Sequence, residues 1–259
     1  MLIEEKSISI DNLFVNYKIV GKGQPIIFLH GWGHDSSHWE KVAQLVANQG
    51  YQVIVPDLPG FGRSQTLDYP WTLENYKEFV LHFSESLKLN NVFLLGHSFG
   101  GRIAILLTSE KNNLIVDKLI LCAAAGLYKK QSLKFKVSTA IVKFFGNILE
   151  KIGLLELKQK MSDLYSSAIN SDYQKANKIM RETLINIQKE TLFHRIPKIT
   201  AKTKIIWGKL DGITPLESAD YLIKNIPNAQ LKILEKGNHS PHVYMPEAVA
   251  NEIISFLKQ

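Results

Sequence analysis

Two periods of apolar residues alternate along the amino-terminal half of this chain, and the switches between them mark its elements. Ser7 to Val20 reads as a pair of strands turning near Asp11-Asn12, and Gly21-Lys22-Gly23 then leads into the apolar run Pro25 to Leu29. From Ser37 to Asn48 the apolar positions Trp39, Val42, Ala43, Leu45, Val46 and Ala47 recur at helical spacing. Tyr51 to Val55 reverts to a strand, and Thr72, with Asn75 three residues on, caps a helix running to about Leu87. Asn91 to Leu95 is another strand, Arg102 to Leu107 a buried helix, and Lys118 to Cys122 a further strand. Strand–helix–strand alternation of this kind predicts an α/β fold, a parallel sheet with helices on both faces.

The alternation stops after Ala123-Ala124-Ala125-Gly126. Leu127 to about Arg195 carries helical composition interrupted at Gly146, at Gly153 and at Asn170-Ser171-Asp172, with no convincing strand. It resumes past Pro197 with strand Lys204–Trp207, a helix from about Leu216 to Lys224, strand Gln230–Leu234 and a last helix Pro246–Leu257. The expected organisation is an α/β core made of residues 1–126 and 197–259, with residues 127–196 inserted as a helical cap. Repeats and low-complexity stretches are absent.

Composition adds constraints. At 259 residues with 45% hydrophobic content the chain can bury a sizeable core. No apolar stretch reaches the ~20 residues of a membrane span, and acidic Glu4 and Glu5 stand where a signal peptide needs basic residues. A cytoplasmic location is expected. The single cysteine, Cys122, lies inside an apolar run and reads as a structural thiol. The net charge of +7 is local: between Leu127 and Pro197 there are thirteen lysines and arginines against six acids, which leaves the rest of the chain neutral. That basic segment reads first as a solvated helical surface, and secondly as a site for an acidic partner.

The candidate chemistry sits in Gly96-His97-Ser98-Phe99-Gly100, between the strand ending at Leu95 and the helix beginning near Arg102. A serine bracketed by glycines at a strand-to-helix turn is a nucleophile elbow. The turn is so tight that a Cβ at 96 or 100 strikes neighbouring backbone, and the serine itself is held in a strained conformation. A serine hydroxyl needs a base, and the base needs an orienting acid. Asp211 follows strand Lys204–Trp207 and His239 follows strand Gln230–Leu234, so both lie past carboxyl ends of strands, as Ser98 does. His242 is the competing base, but Val243-Tyr244-Met245 beside it suits packing. Asp57, ahead of Ser98 in Pro56-Asp57-Leu58-Pro59-Gly60, reads as a turn residue binding backbone donors. The expected oxyanion donors are the N–H groups of Phe99 and of Trp32, the latter in His30-Gly31-Trp32-Gly33. His30 and His97 read as hydrogen-bonding supports beneath the site. His34, His38, His82 and His194 are scattered, with no spacing that makes a metal site. No phosphate loop or dinucleotide fingerprint occurs, and nothing points to nucleic acid or to a cofactor.

With His30-Gly31-Trp32-Gly33, Asp57-Leu58-Pro59-Gly60-Phe61-Gly62-Arg63-Ser64, Gly96 to Gly101, Asp211 and His239 in place, the chain resembles the α/β-hydrolase superfamily outside the cap. The resemblance implies an eight-stranded, mostly parallel sheet, the cap between strands six and seven, and a serine esterase-like member without cofactor. Epoxide hydrolases and haloalkane dehalogenases carry aspartate where this chain has Ser98, and the dehalogenases tryptophan where it has Phe99. Two of the strings resemble the esterases that act on pimeloyl-carrier-protein methyl ester, although those carry tryptophan where this chain has His97. An acidic acyl carrier protein would suit the basic cap. The expected function is hydrolysis of a small-molecule carboxylic ester through an acyl-enzyme. Carbon–carbon hydrolysis of ring-cleavage products and non-catalytic ligand binding on the same fold are the alternatives.

Overall fold

In the computed structural model, residues 1–127 and 177–259 are described, so most of the expected cap, residues 128–176, lies outside the described residues. The strands are β1 Glu4–Ile10, β2 Leu13–Val20, β3 Gln24–Leu29, β4 Tyr51–Pro56, β5 Asn91–His97, β6 Ile115–Cys122, β7 Lys202–Gly208 and β8 Gln230–Leu234. They form one eight-stranded sheet in the order β1-β2-β4-β3-β5-β6-β7-β8. β1 and β2 pair antiparallel about Asp11 and Asn12, which both hold positive φ, and β2 meets β4 antiparallel. From β4 onward every pairing is parallel. The described helices are α1 Glu40–Ala47, α2 Leu73–Ser86, α3 Phe99–Thr108, α4 Lys178–Lys189, α5 Leu216–Asn225, the four-residue α6 Pro241–Tyr244, and α7 Pro246–Leu257. None of the described helices is long and apolar enough to cross a membrane.

Two-sided burial explains the unbroken apolar runs of the central strands. In β3, Ile26 and Phe28 face one layer while Ile27 and Leu29 face the other, and β6 splits Ile120 and Cys122 from Leu119 and Leu121 in the same way. Val42 and Val46 of α1 with Val249 and Ile253 of α7 cover the first face. Residues of α2, α3 and α5, among them Phe79, Phe83, Ile103, Leu107 and Leu222, cover the second. Cys122 is fully buried, and burial pushes its thiol pKa up, as a structural thiol requires.

Three local differences from the sequence reading have simple causes. The helix expected from Ser37 begins instead as a 3-10 turn, Ser36–Trp39, because Asp35 caps it in a box with His38, and the α-helix starts only at Glu40. β6 starts three residues before Lys118, since its exposed first residues continue pairing with Asn91 and Val92 across a register shift at Val92/Phe93. The turn α6 was not anticipated: Pro241 opens it and Ser240 precedes it, too short a segment to show a period. The Thr72–Asn75 box is present, each side chain bonded to the other residue's backbone.

Chain reversal locates the crevice. After β3 the chain moves outward to β4, then crosses back to lay β5 on the other side of β3. The carboxyl ends of β3 and β5 therefore open a topological switch point, where loops diverge and a ligand fits. Gly100 is what lets α3 start so close to β3: a Cβ there would lie 2.2 Å from the Leu29 carbonyl oxygen. Gly100→Ala is expected to lose about 3 kcal/mol, the upper end of overpacking costs, or roughly 6–12 °C in Tm for a chain this long. Gly212→Ala, where nothing lies within 4 Å, should stay within about 0.5 kcal/mol of the parent. Thermal unfolding of the pair checks this, and equal Tm values would contradict the packing argument.

Candidate active site

Ser98 stands between β5 and α3 with φ 50° and ψ −109°, a conformation foreign to side-chain-bearing residues and worth about 1–3 kcal/mol of strain. The surroundings hold it there. Its N–H donates to the Cys122 carbonyl (3.1 Å), and its own carbonyl accepts from the N–H of Ala125 (3.0 Å) and of Arg102 (3.3 Å). A Cβ at Gly96 would come within 2.4 Å of the Gly100 carbonyl oxygen, so the elbow closes only with glycine there.

The loops after β5, β7 and β8 converge at this point. His239 Nε2 lies 3.0 Å from Ser98 Oγ, and His239 Nδ1 lies 2.9 Å from Asp211 Oδ2. The Asp211 side chain is only 1% exposed and is fully engaged. Its Oδ1 accepts the N–H groups of Ile213 and Thr214, each at 2.8 Å, and its Oδ2 accepts the Thr214 hydroxyl at 2.6 Å. Burial pushes this carboxyl up, but the hydrogen bond and charge of His239 together with the Thr214 donors outweigh it, and the pKa falls below the usual carboxylate range. Asp211 is thus an anion at neutral pH. Because a carboxylate accepts only, His239 Nδ1 carries the proton toward it, and Nε2 presents its lone pair to Ser98. Thr214 was missed by the sequence reading, although an aspartate followed by Gly-Ile-Thr has the spacing of a side-chain-capped turn.

Phe99 is the first residue of α3, so its N–H has no intrahelical acceptor. Neither it nor the Trp32 N–H donates to another backbone carbonyl among the described residues. Both residues line, with Gly31, Ser98, Arg102, Ile187 and His239, a cavity of about 260 Å³. A larger cavity of about 420 Å³ lies near the amino ends of β5 and β6, far from this chemistry. Arg102 ties the pocket to α4: it donates to the carbonyls of Ile187 (2.5 Å) and Glu190 (2.6 Å) at that helix's carboxyl end. Burial pulls its guanidinium pKa down to about 10, so it stays charged.

The supporting residues fall as follows. His30 bonds within its own loop, Nδ1 to the Gly31 carbonyl (2.8 Å), and accepts the Leu58 N–H at Nε2 (2.9 Å). Asp57 reaches further than its own turn: it accepts the Arg63 N–H there, the Ser36 N–H from the loop after β3, and the Asn16 side-chain amide from β2. His97 Nε2 donates to the His239 carbonyl at 2.8 Å, fixing the loop that carries His239. His242 packs, as its neighbours indicated, stacked on Trp39 with ring centres 4.1 Å apart. The scatter of the other histidines needs correcting. Far apart from His97 and His242 in sequence, His34 meets both in space, with its ring 5.6 Å from that of His97 and 5.8 Å from that of His242, and it stacks on His38. Burial first, then neighbouring imidazoles, lowers the pKa of His34 to about 4 and depresses those of His97 and His242 as well. His82 and His194 lie apart from this group, His82 in a bond with Asp11.

A sequence profile for the alpha/beta hydrolase fold matches residues 24–246. Among curated relatives, the 2-hydroxy-6-oxononadienedioate/2-hydroxy-6-oxononatrienedioate hydrolase of Comamonas testosteroni is 28% identical, over 92% of this chain and 88% of its own. The pimeloyl-acyl-carrier-protein methyl ester esterase of Legionella pneumophila is 26% identical, over 92% and 97%. Among solved structures, the esterase EaEST of Exiguobacterium antarcticum superposes with a TM-score of 0.75 at 26% identity, covering 99% of this chain and all of that one.

Proposed function

The chain belongs to the alpha/beta hydrolase fold family, and from that premise we propose that this hydrolase cleaves a carboxylic ester through a serine-bound acyl intermediate. One observation carries the reading: the continuous relay Ser98 Oγ–His239 Nε2 (3.0 Å) and His239 Nδ1–Asp211 Oδ2 (2.9 Å), with Ser98 and His239 lining a cavity. Ser98 attacks the ester carbonyl as His239 takes its proton. The N–H groups of Phe99 and Trp32 receive the oxyanion. His239 then protonates the leaving alcohol, and water activated by the same imidazole releases the acid. Asp211 holds the imidazole in the required tautomer and offsets the imidazolium charge. The basic segment from Leu127 to Pro197 is the cap of this reading and supports an acidic carrier protein as bearer of the acyl group.

Carbon–carbon hydrolysis of a dienone acid is the second reading. It is favoured by the name of the Comamonas relative and by Arg102, a charged guanidinium among the residues lining the cavity, which suits a substrate carboxylate. A panel of p-nitrophenyl esters of rising chain length, run beside a carrier-linked methyl ester and a coloured dienone acid, separates the two. Ester turnover exceeding dienone cleavage is the expected result. Dienone cleavage with negligible ester turnover would replace the first reading by the second.

A further inference from the structure

We propose that His34, His97 and His242 form an inhibitory binding site for one divalent transition-metal ion of the zinc class, set against the wall of the Ser98 cavity. One nitrogen of each imidazole lies within 4.8 Å of the other two. The donor set is three imidazoles without a carboxylate, which suits Zn²⁺, Co²⁺, Ni²⁺ or Cu²⁺ and not Mg²⁺ or Ca²⁺.

The hydrogen bonding prepares these rings for ligation. His97 Nε2 faces the His239 carbonyl at 2.8 Å, and a carbonyl only accepts, so Nε2 carries the hydrogen and Nδ1 a lone pair. A backbone carbonyl fixing the tautomer of a ligating histidine is the usual outer support of a metal site. That Nδ1 is buried without a partner among the described residues, as are Nδ1 of His34 and both nitrogens of His242. Buried polar atoms ordinarily find partners, and here four such nitrogens belong to one group of rings. Trp39 holds the His242 ring by stacking, and His97 is 1% exposed, so two of the three ligands are preset. Zinc–nitrogen bonds of about 2.0–2.1 Å place tetrahedral ligand nitrogens about 3.3 Å apart. Bringing nitrogens at most 4.8 Å apart to that spacing requires a shift of at most about 1.5 Å, and half-buried His34, on the loop after β3, is the ligand to make it. Three protein ligands leave a fourth position for water.

A dication there acts on the neighbouring chemistry. The His97 ring centre lies 5.1 Å from that of His239, and positive charge beside His239 opposes the imidazolium that ester cleavage requires. The inhibitory part rests on the serine-hydrolase reading, whereas metal binding does not.

The test uses the full chain, stripped with chelator and titrated with Zn²⁺ by calorimetry and with Co²⁺ by visible absorption. One ion per chain and a Co²⁺ spectrum of tetrahedral type are expected. His242→Phe keeps the stack on Trp39 and removes a ligand, and should weaken binding at least tenfold, on the scale of ~10–100 set by lost metal-site partners. His34→Gln should do the same where the phenylalanine variant fails to fold, while His82→Gln and His194→Gln bind as the parent does. Absence of stoichiometric binding, or affinity untouched by His242→Phe and His34→Gln, overturns the site. Ester turnover should fall as Zn²⁺ saturates and return with EDTA. Saturation without a fall in turnover overturns the inhibitory role alone, and absence of ester turnover at any metal level tells against the esterase reading instead.

Discussion

Ser98→Ala is expected to reduce kcat on a p-nitrophenyl ester by ~10⁴–10⁶-fold, the scale of losses when the nucleophile of such a unit is removed. The reason is specific to this geometry. His239 Nε2 has Ser98 Oγ at 3.0 Å, so removing that oxygen leaves a base with no nucleophile to activate. Residual rate then comes from the oxyanion donors and from binding, which still act on an attacking water. Stability should move in the opposite sense for a related change. With φ at 50° Ser98 stores strain, and Ser98→Gly, equally inactive, should be more stable than Ser98→Ala by roughly 1–3 kcal/mol. Steady-state kinetics and thermal unfolding on the two variants check both halves. Wild-type turnover by either would remove Ser98 from the reaction.

Asp211→Asn is the second large effect, about 10⁴-fold in kcat, and the direction follows from counting donors. Oδ1 of Asp211 accepts two backbone N–H groups, from Ile213 and Thr214, so the carbonyl oxygen of an asparagine must take that position. Its NH₂ then occupies the place of Oδ2 and faces His239 Nδ1, now 2.9 Å from a donor. The imidazole must accept there, which moves its proton to Nε2 and takes away the lone pair that Ser98 needs. Fold and cavity persist. The expected signature is therefore a loss in kcat with little change in KM or Tm. A tenfold loss or less would show that His239 keeps its working tautomer without Asp211.

Most elements were legible because the central strands are buried on both sides and helices such as α1, α2 and α7 on one. β8 and α7 match the bounds read from their periods, and the Thr72–Asn75 box starts α2 as expected. The order of the strands was not legible. An apolar run shows that a strand is buried on both faces but not which strands flank it, so the placement of β3 between β4 and β5 emerges only in three dimensions. The same limit applies to the site. Ser98, Asp211 and His239 announce themselves because each follows a strand, and strand ends share one edge. Thr214 and Arg102 act through contacts made after folding, Arg102 with carbonyls 85 and 88 positions away. His34 and His242 lie more than two hundred residues apart in sequence, and no local pattern links them. Their meeting depends on the 3-10 turn that carries Trp39 and on the four-residue α6.

The central claim is that the Ser98 hydroxyl is made nucleophilic by His239. A fluorophosphonate probe followed by intact mass and peptide mapping measures this directly. One adduct per chain, on Ser98, formed rapidly by the wild-type protein and abolished in His239→Ala, is the predicted result. An adduct on another residue, or labelling of Ser98 that proceeds undiminished without the imidazole, would contradict it.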